Sequence, residues 1–424
     1  MKNNQRRLRI LFFPAWYPSE DNPVYGIFIR EYAKAASIYN NIVVIYVYWD
    51  QHPQPKGLYR VSDEIEEGIR TIRVKCGGIF SYFWHKFVSK SSARRQKTES
   101  PPNSKVKIGI TRKLFMAPLV VGANFLYYWS VLAAFRKLGR EGWKSDIIHA
   151  HVFTAGAAAV IFGKLYRIPV VITEHYTGFP RHILHLSGRL KARFAMNRAQ
   201  IILPVSNALE KAIKDYGIKN KFQVIPNVVN TDMFHLPFSQ NMKNNNEIKE
   251  LLLVANISPQ KGIPYLLEAL KQIKYERQDF RLDIVGEGQN RKEYEELTKT
   301  LGLENMVEFH GRKSKEEVAE FMRRCDFFVQ PSLYETFGVV YIEAMACGKP
   351  VIASQVTGPI EIVTPEAGVL IPPKDIPSLK DAIVYMLDHY QNYSSEKIAQ
   401  YAKERFGYEA VGKMLDELYR ELFI

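Results

Sequence analysis

Along this chain, short apolar runs alternate with longer stretches in which apolar residues recur every three or four positions. The runs at 9–13, 42–48, 146–149, 169–173, 201–206 and 224–228 are rich in Ile, Val, Leu or aromatic residues, as strands are. A second series follows at 251–254, 282–285, 307–309, 327–329, 351–353 and 368–371. Between them, residues 27–37, 156–165, 207–216, 339–347 and 377–388 have helical spacing, and a last helix covers 409–423. Strand, helix and strand in close succession form βαβ units, which imply a parallel sheet. The polar, turn-rich stretch 239–250 separates the two series. The expected fold is α/β, with two doubly wound Rossmann-like domains facing across a cleft. At 424 residues the chain exceeds one ordinary core and suits two domains of about 200 residues each.

One region breaks the rhythm. Residues 86–113 carry nine cations against Glu99 alone, among serines and a Pro101-Pro102 pair, and read as loop. Residues 114–135 then contain no charge at all. A helix packed on the sheet is the expected form, because Pro118 and Gly122 interrupt the run and Tyr127, Tyr128 and Trp129 sit inside it. Monotopic contact with a bilayer and a true span are the alternatives. The net charge of +14 points the same way, toward an anionic membrane surface met through 86–135 and an anionic ligand. Nucleic acid is not expected as a partner, since no recognition motif is present. Cys76, Cys325 and Cys347 have neither disulfide nor metal-ligand spacing. With an N-terminal apolar run too short for a signal segment, the expected location is cytoplasmic, with peripheral contact on the cytoplasmic membrane face.

The chemistry gathers in residues 326–354, a strand, loop, helix and strand. Glu335 lies in the loop and Glu343 in the helix, eight positions apart. Between them the amides of Phe337, Gly338, Val339 and Val340 open a helix, a ready anion site. A phosphate-bearing ligand with hydroxyl groups, such as a nucleotide sugar, suits that arrangement. His151 and His175 fall at the carboxyl ends of strands, where ligands collect in such sheets. Tyr176 follows His175, and Arg181 begins a basic segment that serves either an acceptor or a solvated face.

The Glu-x7-Glu pattern, with Phe-Gly after the first Glu and Glu-Ala-x-Ala-x-Gly-x-Pro-Val-Ile at the second, resembles the donor site of retaining glycosyltransferases of family 4. The resemblance implies the GT-B fold, with an acceptor domain at 1–238, a donor domain at 239–405 and a helix at 406–424 returning to the first domain. It implies that Glu343 binds the ribose hydroxyls, that Glu335 contacts the donor sugar, and that His175 lies beside that sugar. Lys261 would bind the donor diphosphate, although the arginine that relatives place nearby is Asn256 here. Gly26 matches the glycine that lets the backbone approach the diphosphate, and Gly286, Gly311 and Arg312 fall near the nucleotide base. His175, Glu335 and Lys261 are thus the expected catalytic residues, and His151, Tyr176 and Arg181 the acceptor side. No cofactor or metal is expected, and the chain has no Asp-x-Asp. The implied partners are a UDP- or GDP-linked donor and a saccharide or lipid-linked acceptor, in cell-envelope or exopolysaccharide synthesis. A sugar-nucleotide epimerase of the same fold and a catalytically silent partner protein remain as alternatives.

Overall fold

The computed structural model describes residues 6–49, 57–77, 110–237 and 248–423, with side chains described from residue 122 in the helix that begins at Ile110. The segment 78–109, and with it most of the cationic run, lies outside the described residues, as does 238–247 at the expected domain boundary.

Two sheets form. The first contains β1 (Arg9–Pro14), β2 (Asn41–Trp49), β3 (Tyr59–Glu66), β4 (Ile69–Cys76), β5 (Ile147–His151), β6 (Val170–Glu174) and β7 (Ile201–Pro204). Their order is β3-β4-β2-β1-β5-β6-β7, parallel except where β3 meets β4. The second contains β8 (Lys249–Val254), β9 (Phe280–Val285), β10 (Val307–Gly311), β11 (Phe327–Gln330), β12 (Val351–Ser354) and β13 (Gly368–Ile371). It is parallel throughout, in the order β10-β9-β8-β11-β12-β13. Helices α1 (Ile27–Ser37), α2 (Ile110–Arg140), α3 (Phe153–Tyr166), α4 (Leu186–Met196) and α5 (Asn207–Lys214) accompany the first sheet. Helices α6 (Ile263–Ile273), α7 (Arg291–Thr300), α8 (Lys315–Arg324), α9 (Val339–Ala346), α10 (Pro359–Ile362), α11 (Ile376–His389) and α12 (Ser395–Phe406) accompany the second, and α13 (Tyr408–Phe423) returns to the first.

Alternate residues of the first sheet enter opposite cores. Ile10, Phe12, Val44 and Ile147 pack with α1 and with Val411, Leu415 and Tyr419 of α13. Leu11, Phe13, Val43 and Ile148 pack with α2, α3 and α4. At about 1.5–3 kcal/mol per fully buried side chain, covering both faces favours continuous apolar runs over alternating ones. Helix α2 packs on this sheet through Leu126, Val131, Ala134 and Leu138, and the Cys76 thiol donates to Ser130 Oγ at 3.1 Å. No helix among the described residues is long and apolar enough to cross a membrane.

Two local features depart from the sequence reading. Residues 224–228 form no ladder strand. Residues 221–225 exchange three backbone hydrogen bonds with the β7 region, and the ladder stays incomplete because Pro204 of β7 has no N–H to offer the Gln223 carbonyl. The β3–β4 hairpin was not expected, because its strands are heavily charged. It closes through Glu67 and Gly68, both at positive φ, a two-residue turn suited to hairpin twist. Asp63–Arg70 and Glu66–Arg73 pairs bridge it.

Candidate active site

The carboxyl ends of β5, β6 and β7 meet those of β8 and β11 across a cleft, and the two sides touch through named bonds. On the second-sheet side, β11 ends at the buried Gln330, and the loop beyond it carries Glu335. Glu335 accepts from Ser332 Oγ at 3.3 Å and Gln330 Nε2 at 3.4 Å, and it pairs with Lys261. Lys261 reaches it from the short 3₁₀ turn Pro259–Lys261 after β8. Gly262 makes this approach feasible. Its φ is +70°, and a Cβ there would stand 1.9 Å from the Pro331 carbonyl oxygen. A larger residue would push the lysine loop off the glutamate loop. The Leu333 amide fixes the same contact by donating to the Gln260 carbonyl at 2.7 Å.

Helix α9 starts after Gly338 and ends at Cys347-Gly348, ahead of Pro350. As its first residues, Val339 and Val340 have amides with no helical carbonyl to receive them. The Phe337 ring is buried 5.7 Å from Phe406, so the anion cradle rests on a packed base. One turn further, Glu343 is only 4% exposed. Its Oε1 pairs with Lys315 at the start of α8, whereas its Oε2 is buried without a partner. A buried, unpaired carboxylate oxygen costs about 1–3 kcal/mol, which a ligand hydroxyl would recover. Beside this region, the Gly286 amide donates to the Gly311 carbonyl at 2.8 Å, which closes the β9 and β10 ends together. Arg312 is exposed just beyond, and Asn256 is exposed in the β8 loop.

On the first-sheet side, His151 and His175 meet directly, Nδ1 to Nε2 at 3.2 Å, with rings stacked 5.5 Å apart. His151 Nε2 and His175 Nδ1 are buried without partners. The His175 ring lies 4.8 Å from Phe28, and Tyr176 lies 6.1 Å from Trp16. Gly26 caps α1 at φ +72°, where a Cβ would stand 2.4 Å from the Trp16 carbonyl, so its close approach is to the chain's own loop. Arg181 crosses the cleft, its guanidinium carbon 5.3 Å from the centre of the Tyr334 ring.

Thr336, next to Glu335, ties the two sides. Its hydroxyl donates to the His175 carbonyl at 3.2 Å, and its own carbonyl accepts from Ser206 Oγ at 2.9 Å. Glu361 adds a second tie by accepting from the Asn207 amide, Asn207 Nδ2 and the Ala208 amide, each at 2.8 Å. A carboxylate at a helix N-terminus satisfies orphan amides and the helix dipole together. Glu361→Ala is therefore expected to lower kcat/KM about tenfold, since one such set of bonds contributes about 1–2 kcal/mol. Steady-state kinetics alongside small-angle scattering would check this, with a larger radius of gyration expected for the variant.

His149, His151 and His175 form a buried row with centroids 4.4 and 5.5 Å apart, and the Tyr419 hydroxyl meets His149 Nδ1 at 2.5 Å. Burial holds His149 and His175 down at about 3 and His151 well below 6.5. Neighbouring imidazoles add to the effect at His149 and His151, while Asn227 opposes it at His175. Burial pushes Glu174 up to about 7, against three N–H donors from Phe153, His175 and Tyr176 at 2.9 Å. As pH falls below 6.5, the unfolded chain takes up imidazole protons that the folded chain refuses, so stability is lost. The loss is about 2 kcal/mol for each of His149 and His175 by pH 5, at about 1.4 kcal/mol per pH unit. Glu174 acts oppositely between about 7 and 4.5, gaining its proton only in the folded state, and offsets one histidine. Urea unfolding should accordingly show a lower midpoint at pH 5 than at pH 7, and a flatter profile for His149→Asn.

Thr336, Glu361, Lys315, Gln330 and Ser332 were not singled out from the sequence as site residues. Only Lys315 had a local signal, as the first residue of a helix opened by the Ser314–Glu317 capping box.

Comparison with known proteins gives two family matches. Residues 237–405 match the family Glycosyl transferases group 1, and residues 91–233 match Glycosyltransferase Family 4. An uncharacterized glycosyltransferase of Methanocaldococcus jannaschii is 32% identical over 283 residues, covering 65% of this chain and 76% of that protein. Among solved structures, sucrose-phosphate synthase from Thermosynechococcus elongatus aligns with a TM-score of 0.71 at 21% identity over 99% of both chains. HepE of Anabaena, in complex with UDP and glucose, aligns with a TM-score of 0.66 at 21% identity, over 98% of this chain and all of that one.

Proposed function

The chain belongs to glycosyltransferase family 4 and has its GT-B fold, and on that premise we propose that it transfers a hexosyl group with retention of configuration. The donor is a UDP- or GDP-linked sugar and the acceptor a saccharide or a lipid-linked glycan in cell-envelope or exopolysaccharide synthesis. The observation that carries this reading is the orphaned Oε2 of buried Glu343, one helical turn from an N-terminal amide cradle. A ribose hydroxyl bonded to that oxygen brings the diphosphate to the amides of Val339 and Val340 and to Lys261. The HepE complex with UDP and glucose makes UDP the first donor nucleotide to try.

In this reading the bond between the anomeric carbon and the phosphate oxygen breaks, and its electron pair stays on the phosphate. Lys261 and the α9 amides stabilise the growing negative charge. The acceptor hydroxyl attacks from the same face and gives its proton to the departing phosphate. Glu335 holds a sugar hydroxyl, with His175 on the opposite wall. Double displacement would need a carboxylate free to attack the anomeric carbon. Glu335, bonded to Ser332 and Gln330 and paired with Lys261, suits a binding role instead.

The same site supports metal-independent transfer, because Lys261 supplies the positive charge at the leaving group. Among the described residues, Asp283, Glu308 and His310 cluster closely enough for a cation, but Arg281 pairs with both carboxylates. Slow donor hydrolysis, with water as acceptor, tests the mechanism by proton NMR. The first sugar released should keep the donor's anomeric configuration, with and without EDTA. Initial release of the opposite anomer would overturn retention, and loss of turnover in EDTA would overturn metal independence.

A further inference from the structure

Helices α2, α3 and α4 form one layer on the first sheet. Phe135 of α2 stacks on Phe162 and Tyr166 of α3 at 5.1 and 5.8 Å, and Ala195 of α4 lies against Gly156 of α3. None of the three helices contains an Asp or Glu. The run from His175 to Leu209, which includes α4, has none either. Helix α4 turns Ala192, Ala195 and Met196 inward and exposes Leu186, Leu190 and Phe194 at four-residue spacing. Leu186 is 73% exposed and Leu190 59%. On the neighbouring helices Leu165 is 64% exposed and Phe125 67%, with Phe125 stacked 6.1 Å from Trp129. Among the described residues, the exposed Lys164, Arg167 and Lys191 have no carboxylate partner.

We propose that the outer face of α2, α3 and α4 docks on an anionic lipid bilayer. Apolar and aromatic side chains flanked by cations, on helices that contain no carboxylate of their own, match the interfacial zone of such a membrane. Three adjacent helices with cations and no acid of their own, where Asp63 and Glu141 at the end of α2 are already paired with Lys137, are a poor match for an average protein surface, which mixes both signs of charge. The placement also serves the cleft. Helix α4 follows directly on the loop that carries Tyr176 and Arg181, so docking sets the first-sheet side of the cleft near the headgroups. This part rests on the proposed lipid-linked acceptor, whereas the docking itself stands on the face alone.

Flotation of the full chain with vesicles measures docking without any need for turnover. The wild type should bind phosphatidylglycerol-containing vesicles, bind phosphatidylcholine vesicles weakly, and release at high salt. Leu190→Ser/Phe194→Ser should lose binding by at least about tenfold, and Lys164→Glu/Lys191→Glu by at least about fivefold per charge. Both variants change exposed side chains and should keep the wild-type melting temperature and any nucleotide-induced shift. Equal binding to both vesicle types, no binding to either, or variants that bind like the wild type would overturn the proposal. So would a wild-type dimer that Leu190→Ser/Phe194→Ser converts to monomer, because the face would then belong to a second copy. Loss of the nucleotide shift with docking intact would instead count against the donor site.

Discussion

Lys261→Ala is expected to lower kcat by about 10²- to 10³-fold, the usual effect of removing one preorganised group that faces developing charge. The lysine already points at the site, because Gly262 lets its loop abut Pro331 and Glu335 holds its ammonium. Little reorganisation is then needed when the phosphate departs. Asn256, exposed in the same loop, carries no charge, so no second cation in this loop shares the load. Lys261→Arg should restore only part of the rate, since a planar guanidinium does not reproduce a compact ammonium. The variant should fold normally, because Lys261 lies in part-exposed 3₁₀ turn and contributes to no core. Single-turnover kinetics would separate the chemical step from binding, and an unchanged rate with bound donor would remove Lys261 from the mechanism.

Glu343→Gln is expected to weaken nucleotide binding about 10²-fold while leaving the unliganded protein no less stable. Two hydroxyl bonds to a carboxylate, at about 1.5–3 kcal/mol each, exceed those to a neutral amide by enough to produce that loss. In the protein fold itself, however, Oε2 is buried without a partner, so removing the charge relieves an existing penalty. Lys315 loses its pair but is 34% exposed and can turn to water. Calorimetric titration and a melting curve on the same sample would show both effects. A variant that melts much earlier than the wild type would mean that Glu343 holds the fold rather than the ligand.

The parallel sheets were legible where strands are buried on both faces and read as unbroken apolar runs, as with the buried 327–330 and 351–354. The β3–β4 hairpin was not, since Asp63, Glu66, Arg70 and Arg73 satisfy one another across strands and mimic a solvated loop. Residues 224–228 misled in the opposite direction, because an apolar composition does not show that Pro204 on the neighbouring strand leaves the pairing incomplete. In the site, Glu335, Glu343 and Lys261 stood out through short-range spacing in chemically telling company. The ties through Thr336 and Glu361 could not, because each joins residues more than 125 positions apart through generic hydrogen-bonding groups. Asn256 shows the limit of resemblance. The sequence shows a single cation, Lys261, in the loop 255–262, while only the fold brings Arg181 across the cleft to Tyr334.

The most direct test of the central claim is a thermal-shift titration of the purified chain with UDP, GDP and ADP and their common sugar conjugates, without added metal. Binding to the folded state raises the melting temperature by mass action. The account predicts a saturable shift with UDP or GDP and its conjugates that disappears in Glu343→Ala and Lys261→Ala. No shift with any nucleotide, or the same shift in both variants, would contradict it.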